Sequence, residues 1–287
     1  MYGLFTAIND YNAISPLRGC VNDAHHIASA FNKLTNLDAS VLINKRATLP
    51  AVKDRLNIAE TSAHNSYVWH YSGHGTRVAD RTLDEVVDRM DEAICLYDVN
   101  PATYWEDGLM IDDMVNEFIP FDKKGLVLFD SCHSGSANRD IQDPIAPAQR
   151  YAPPPFDIFA RELLANYGRK IELNNSMKES LSEVRNKPFV FIGACKDEQT
   201  AADYYYPECE ECQSLSGNEL KYLKKNLFYH GVLSSSVVDF FKKYQSDSYT
   251  YGNLFDHCSG YAKNRGFEQV PQICYSGGLV ATDKIFT

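Results

Sequence analysis

Hydrophobic and polar positions along this chain follow two patterns in turn. Short apolar or β-rich runs stop at turn residues: Tyr2 to Ile8 ends at Asn9-Asp10, Val41-Leu42-Ile43 is a second run, Tyr67 to Tyr71 runs into Ser72-Gly73, and Gly125 to Asp130 and Phe189 to Ala194 follow. Runs of this length and kind predict strands covered on both faces. Between them apolar residues recur at helical spacing, as Val21, Ala24, Ile27, Ala28, Phe31 and Leu34 do. Thr48 is a natural N-cap for a second helix reaching about Glu60, with Pro50 tolerated in its first turn. Further helices are predicted near Asp157 to Tyr167, Gly231 to Tyr244 and Tyr249 to Lys263. Alternating strands and helices imply an α/β fold, a mostly parallel central β-sheet flanked by helices on both faces. In such sheets ligands bind beyond the carboxyl ends of the strands.

Two chemically suggestive residues fall at those ends. His74 follows the third strand between Gly73 and Gly75, and Cys132 follows the Gly125 to Asp130 strand between Ser131 and His133. The glycines predict a histidine exposed on a loop. A thiol is a good nucleophile only as thiolate, which calls for an imidazole or a field to remove its proton. His74 and Cys132 are the one credible pair, with His133 a rival base whose side chain should diverge from its neighbour.

Composition narrows the classes. With 287 residues, 44% hydrophobic and 23% charged, the chain can bury a large core and is expected to form one domain over 1–287. A formal net charge of −10 disfavours nucleic acid and favours basic substrates. The sequence has no signal-like start and no long apolar stretch, so no membrane partner is expected. Eight cysteines without such a signal read as reduced thiols in a cytoplasmic protein. Cys209-Glu210-Glu211-Cys212 has zinc spacing but lacks a matching second pair, and the acidic, Tyr-rich stretch Asp203 to Glu211 reads as a surface loop beside the site rim.

The local wording around the pair is more specific. His70-Tyr71-Ser72-Gly73-His74-Gly75-Thr76 and Asp130-Ser131-Cys132-His133-Ser134-Gly135-Ser136 resemble the two catalytic motifs of metacaspases, caspase-like cysteine peptidases. Leu17-Arg18-Gly19-Cys20-Val21-Asn22-Asp23-Ala24, Asp91-Glu92-Ala93-Ile94 through Asp98, and Ala194-Cys195-Lys196-Asp197-Glu198-Gln199-Thr200-Ala201 are similar to three further blocks of that family, in the same order.

The resemblance implies a caspase-like fold with a large-subunit-like part (1–137), a connecting segment (138–187) and a small-subunit-like part (188–287). It implies that His74 activates Cys132, with the backbone N–H groups of Gly75 and Cys132 as oxyanion hole. Cys20, Asp23, Ser72 and Asp130 are implied to line the pocket for the scissile residue, whose carboxylates would pair with Arg or Lys of a protein or peptide substrate. Asp91, Asp112 and Asp113 match calcium-binding positions of the family. Arg139 stands where a fourth Asp is expected, and Asp140 comes one residue later. Asp112 and Asp113 equally suit a helix start, and both readings stand. No organic cofactor is implied. Self-cleavage in the exposed connecting segment would follow Arg150, Arg161, Arg169, Lys170, Lys178 or Arg185. The expected state is a monomer, and the alternative function is a catalytically silent caspase-like binding protein.

Overall fold

The computed structural model describes residues 1–79, 90–100, 107–132, 148–152, 187–195, 199, 201–206, 228–244 and 249–285. Strands β1 (Tyr2–Ala7), β2 (Asp38–Ile43), β3 (Ser66–Ser72), β7 (Lys124–Asp130), β9 (Phe189–Gly193) and β12 (Gln272–Tyr275) form one six-stranded sheet in the order β12-β9-β7-β3-β1-β2. All its pairings are parallel except that of β12, which closes one edge antiparallel to β9. Strands before and after the connecting segment meet at the parallel β7–β9 pair.

Helices α1 (Cys20–Leu34), α4 (Val232–Lys243) and α5 (Tyr251–Asn264) cover one face, and α2 (Leu49–Thr61) and α3 (Asp112–Phe118) the other. Successive side chains of a strand point to opposite faces. Leu126 and Leu128 of β7 therefore pack with Ile27, Phe31, Val237 and Leu254, while Val127 and Phe129 pack with Val52, Leu56 and Val115. That is why GLVLFD reads as an unbroken apolar run. Thr48 caps α2 as predicted, its hydroxyl accepting from Ala51 N. Strand β2 begins three residues earlier than its apolar run, because an edge strand with exposed Asp38 and Ala39 pairs through backbone alone.

Two small antiparallel sheets stand at the carboxyl ends of the main strands. One holds β4 (Gly75–Ala79), β5 (Met90–Cys95) and β6 (Leu109–Ile111); the other holds β8 (Ala148–Gln149), β10 (Ala202–Tyr205) and β11 (Tyr229–Gly231). Among the described residues no helix is long and apolar enough to cross a membrane.

Candidate active site

Strands β3 and β7 pair in register, Ser72 opposite Asp130. Each chain then runs two residues further, to His74 and to Cys132, so both residues stand just past the carboxyl ends of neighbouring strands. The turn needs Gly73, since a Cβ there would collide with the hydroxyls of Tyr71 and Tyr11. Those hydroxyls lie 3.2 Å apart and hold the loop: Tyr11 accepts from His74 N at 2.8 Å, and Tyr71 donates to the His74 carbonyl at 2.7 Å.

His74 Nε2 lies 2.8 Å from the carbonyl oxygen of Ser15. A carbonyl only accepts, so Nε2 carries the hydrogen and Nδ1 keeps its lone pair. Among the described residues Nδ1 has no hydrogen-bond partner. Ser15 is thus the orienting group that the sequence did not reveal, and it acts through its backbone. Burial lowers the His74 pKa to about 4 and raises the Cys132 thiol to about 12, so both are neutral near pH 7.

The predicted exposure of His74 does not hold. His74 is 3% exposed and Cys132 0%, because residues 148–152 of the connecting segment lie across them. Gln149 pairs antiparallel with Ala202 of β10, and Arg150 N donates to the Ala201 carbonyl at 3.2 Å. The Arg150 carbonyl oxygen then accepts from Gly75 N at 3.0 Å and from Cys132 N at 3.3 Å. Beyond it, Ala152 N donates to the Gly75 carbonyl at 3.0 Å.

The Arg150 side chain is fully buried, contrary to the exposure expected of its segment. Nη2 sits 2.7 Å from Asp23 Oδ2 and 3.0 Å from Asp203 Oδ1, and Nη1 sits 3.3 Å from Asp130 Oδ1. Nη1 also donates to Ser72 Oγ at 2.6 Å and to the Asp130 carbonyl at 3.1 Å. Three of the four predicted pocket residues, Asp23, Ser72 and Asp130, therefore meet one guanidinium. Cys20, the fourth, is buried at the start of α1, and burial keeps its thiol protonated.

Asp203 was missed. The surface-loop reading of Asp203 to Glu211 is corrected at its first residue, which lies buried in β10. Its carboxylate also accepts from Arg18 N at 2.8 Å and Gly19 N at 2.9 Å, tying the start of α1 to the pocket. Asp23 is braced by Ser72 Oγ at 2.8 Å, by Gly231 N at 3.1 Å and by His230 Nδ1 at 3.3 Å. Asp130 Oδ2 accepts from Ser234 N and Oγ, both at 2.7 Å. Burial pushes the Asp23 carboxyl up, but Arg150 and His230 outweigh it and hold it at about 2. Burial leaves Asp130 and Asp203 raised in spite of the same guanidinium.

Comparison with known proteins fits this geometry. A family profile described as caspase domain matches residues 3–277. The chain belongs to the caspase-domain family. Metacaspase-1 of Saccharomyces cerevisiae (strain ATCC 204508 / S288c) is 34% identical over 151 residues, 46% of this chain and 33% of that protein. Metacaspase-1 of Meyerozyma guilliermondii is 26% identical over 239 residues, 70% of this chain and 56% of its own. Metacaspase-8 of Arabidopsis thaliana is 32% identical over 156 residues, 50% and 39% of the two chains. These alignments thus span a third to just over half of the relatives' lengths. The crystal structure of protein GSU0716 from Geobacter sulfurreducens superposes with a TM-score of 0.64 over 100% of this chain and 98% of that one, at 20% identity, a likeness of fold.

The predicted calcium residues divide. Asp91 lies buried on β5, and Asp112 and Asp113 open α3 as first-turn acids. Among the described residues no group of three or more His, Cys, Asp or Glu could hold a metal ion. Asp140, His133, Cys209, Cys212 and the bonds after Arg161, Arg169, Lys170, Lys178 and Arg185 lie outside the described residues.

Proposed function

We propose that this caspase-domain protein is a cysteine endopeptidase that cleaves after Arg, and less readily after Lys, and that its own Arg150–Tyr151 bond is a substrate. One observation carries the reading: the Arg150 carbonyl oxygen lies between the Gly75 and Cys132 amides while its guanidinium fills a pocket of three carboxylates. Donors aimed at a carbonyl oxygen beside a thiol are what an acyl transfer needs. A planar fork of donors also suits these carboxylates better than an ammonium does.

His74 Nδ1 takes the proton of Cys132 Sγ–H as sulfur attacks the carbonyl carbon of the scissile Arg. The oxyanion that forms is held by the Gly75 and Cys132 N–H groups. Its collapse breaks the C–N bond, and His74 returns the proton to the leaving amine. Water, deprotonated by His74, then attacks the thioester and releases the new carboxylate and the thiol. Burial favours the neutral thiol and imidazole while the connecting segment fills the site.

No disulfide links the described cysteines, which supports a reducing, cytoplasmic setting for a protein we read as a monomer. The test is hydrolysis of fluorogenic peptides ending in Arg, Lys or Asp by the protein and by Cys132→Ala. Cleavage in the order Arg, Lys, then none for Asp, abolished in the variant, is expected. Preference for Asp would overturn the pocket reading, and no cleavage of any peptide or of the chain itself would favour the silent binding protein.

A further inference from the structure

We infer that the peptidase has a closed, methyl-sized subsite for the second residue after the scissile bond, so that its substrates carry a small apolar residue there. The inference deepens the proposed function and rests on Arg150 marking the scissile position.

On the leaving side the chain does not drift into solvent. Tyr151 forms a parallel bridge with Gly75, and Ala152 N donates to the Gly75 carbonyl at 3.0 Å. Gly75 thus serves both sides of the bond, its N–H on the Arg150 carbonyl and its C=O on the Ala152 amide. This pairing fixes which way the Ala152 side chain points. Ala152 is 5% exposed and belongs to an apolar cluster with Val78, Ala93, Cys95, Val99, Leu109 and Ile111, the packed side of the β4–β5–β6 sheet. Tyr151, by contrast, is half-buried against the main core cluster. The two leaving-side residues therefore meet different surroundings, an open one followed by a closed one.

The physical consequences are distinct for each side chain. A larger apolar group must displace packed neighbours. A charge would enter an apolar cluster without a partner. Proline lacks the N–H that Gly75 accepts and would leave that carbonyl unmatched. A specificity of this kind is separate from the acidic pocket, since none of its residues touches Arg150 in the contacts above.

Two series test it, one in the chain and one in added peptides. Ala152→Gly, Leu, Lys and Pro variants of the full chain are followed by mass spectrometry for cutting after Arg150. The unaltered protein is given internally quenched peptides of sequence Ala-Gln-Arg-Tyr-X, with X as Ala, Gly, Leu, Lys or Pro, which removes any dependence on variant folding. We expect Ala and Gly to be cut fastest, Leu roughly tenfold slower and Lys and Pro slower by ~100-fold in kcat/KM. Rates after Arg within about threefold across the peptides would overturn the subsite while leaving the Arg specificity intact. If neither the Ala peptide nor the unaltered chain is cut after Arg, the parent reading fails and the subsite falls with it.

Discussion

Arg150 and Asp23 form a fully buried ion pair, Nη2 to Oδ2 at 2.7 Å, although 127 residues separate them in the chain. The pair joins the connecting segment to the first turn of α1. Asp130 and Asp203 share the same guanidinium, so one cation compensates three carboxylates.

Removing that cation leaves the acids buried together. Breaking a buried pair by deleting one partner typically costs about 3–5 kcal/mol. Arg150→Ala is therefore expected to lower thermal stability at pH 7, with Arg150→Lys in between. The gap to the unaltered protein should narrow as pH falls, because Asp130 and Asp203, already raised, protonate and remove the repulsion. Melting curves across pH check this, and a constant gap would count against it.

A second pH effect comes from buried histidines. His70 and His74 have pKa values lowered to about 4 by burial, against about 6.5 when unfolded. The unfolded chain therefore binds protons first as pH falls, and stability drops between about pH 6.5 and pH 4 by ~3 kcal/mol per histidine. Asp23, held at about 2, extends the loss below pH 4. His70→Gln should flatten the upper part of this curve in denaturant titrations. An unchanged slope would refute the assignment to His70, whose Nε2 lies 3.0 Å from Ser234 Oγ.

Strands β1, β2, β3, β7 and β9 and helices α1, α2, α4 and α5 were legible because their periodicities reflect burial on two faces of one sheet, as Leu126 to Phe129 illustrate. The short strands of the two small sheets, β12 and α3 carry too few residues to show a pattern, and the helix predicted near Asp157 to Tyr167 lies outside the described residues. Asp23, Ser72 and Asp130 were legible through their motifs. The cover over His74 was not, since it comes from residues 148–152, whose two-residue pairing with β10 leaves no periodic signal in the chain. Asp203 gave no signal because a two-residue partner strand and a short β10 leave no readable alternation. Ser15 contributes a carbonyl, which every residue has.

Asp203 also yields a specificity prediction. Asp203→Asn keeps the acceptor oxygen but removes a charge 3.0 Å from the guanidinium, and a hydrogen bond to a charged group is worth about 1.5–3 kcal/mol. Steady-state kinetics on Arg peptides should show kcat/KM falling by about ten- to a hundredfold, with Lys peptides affected as well. An unaltered kcat/KM would remove Asp203 from the substrate pocket.

Burial of Cys132 by the connecting segment predicts slow alkylation of the intact protein. Iodoacetamide should modify Cys132 faster in Arg150→Ala, as read by peptide mapping. Equal rates would mean that the segment does not shield the thiol.

The most direct measurement is the sequence of any new N-terminus formed when the purified chain is incubated, beside Cys132→Ala and His74→Ala. The account predicts a fragment beginning at Tyr151 in the unaltered protein and an intact chain in both variants. A bond that stays whole while added Arg peptides are cut, or a Tyr151 terminus that still forms in Cys132→Ala, would contradict it.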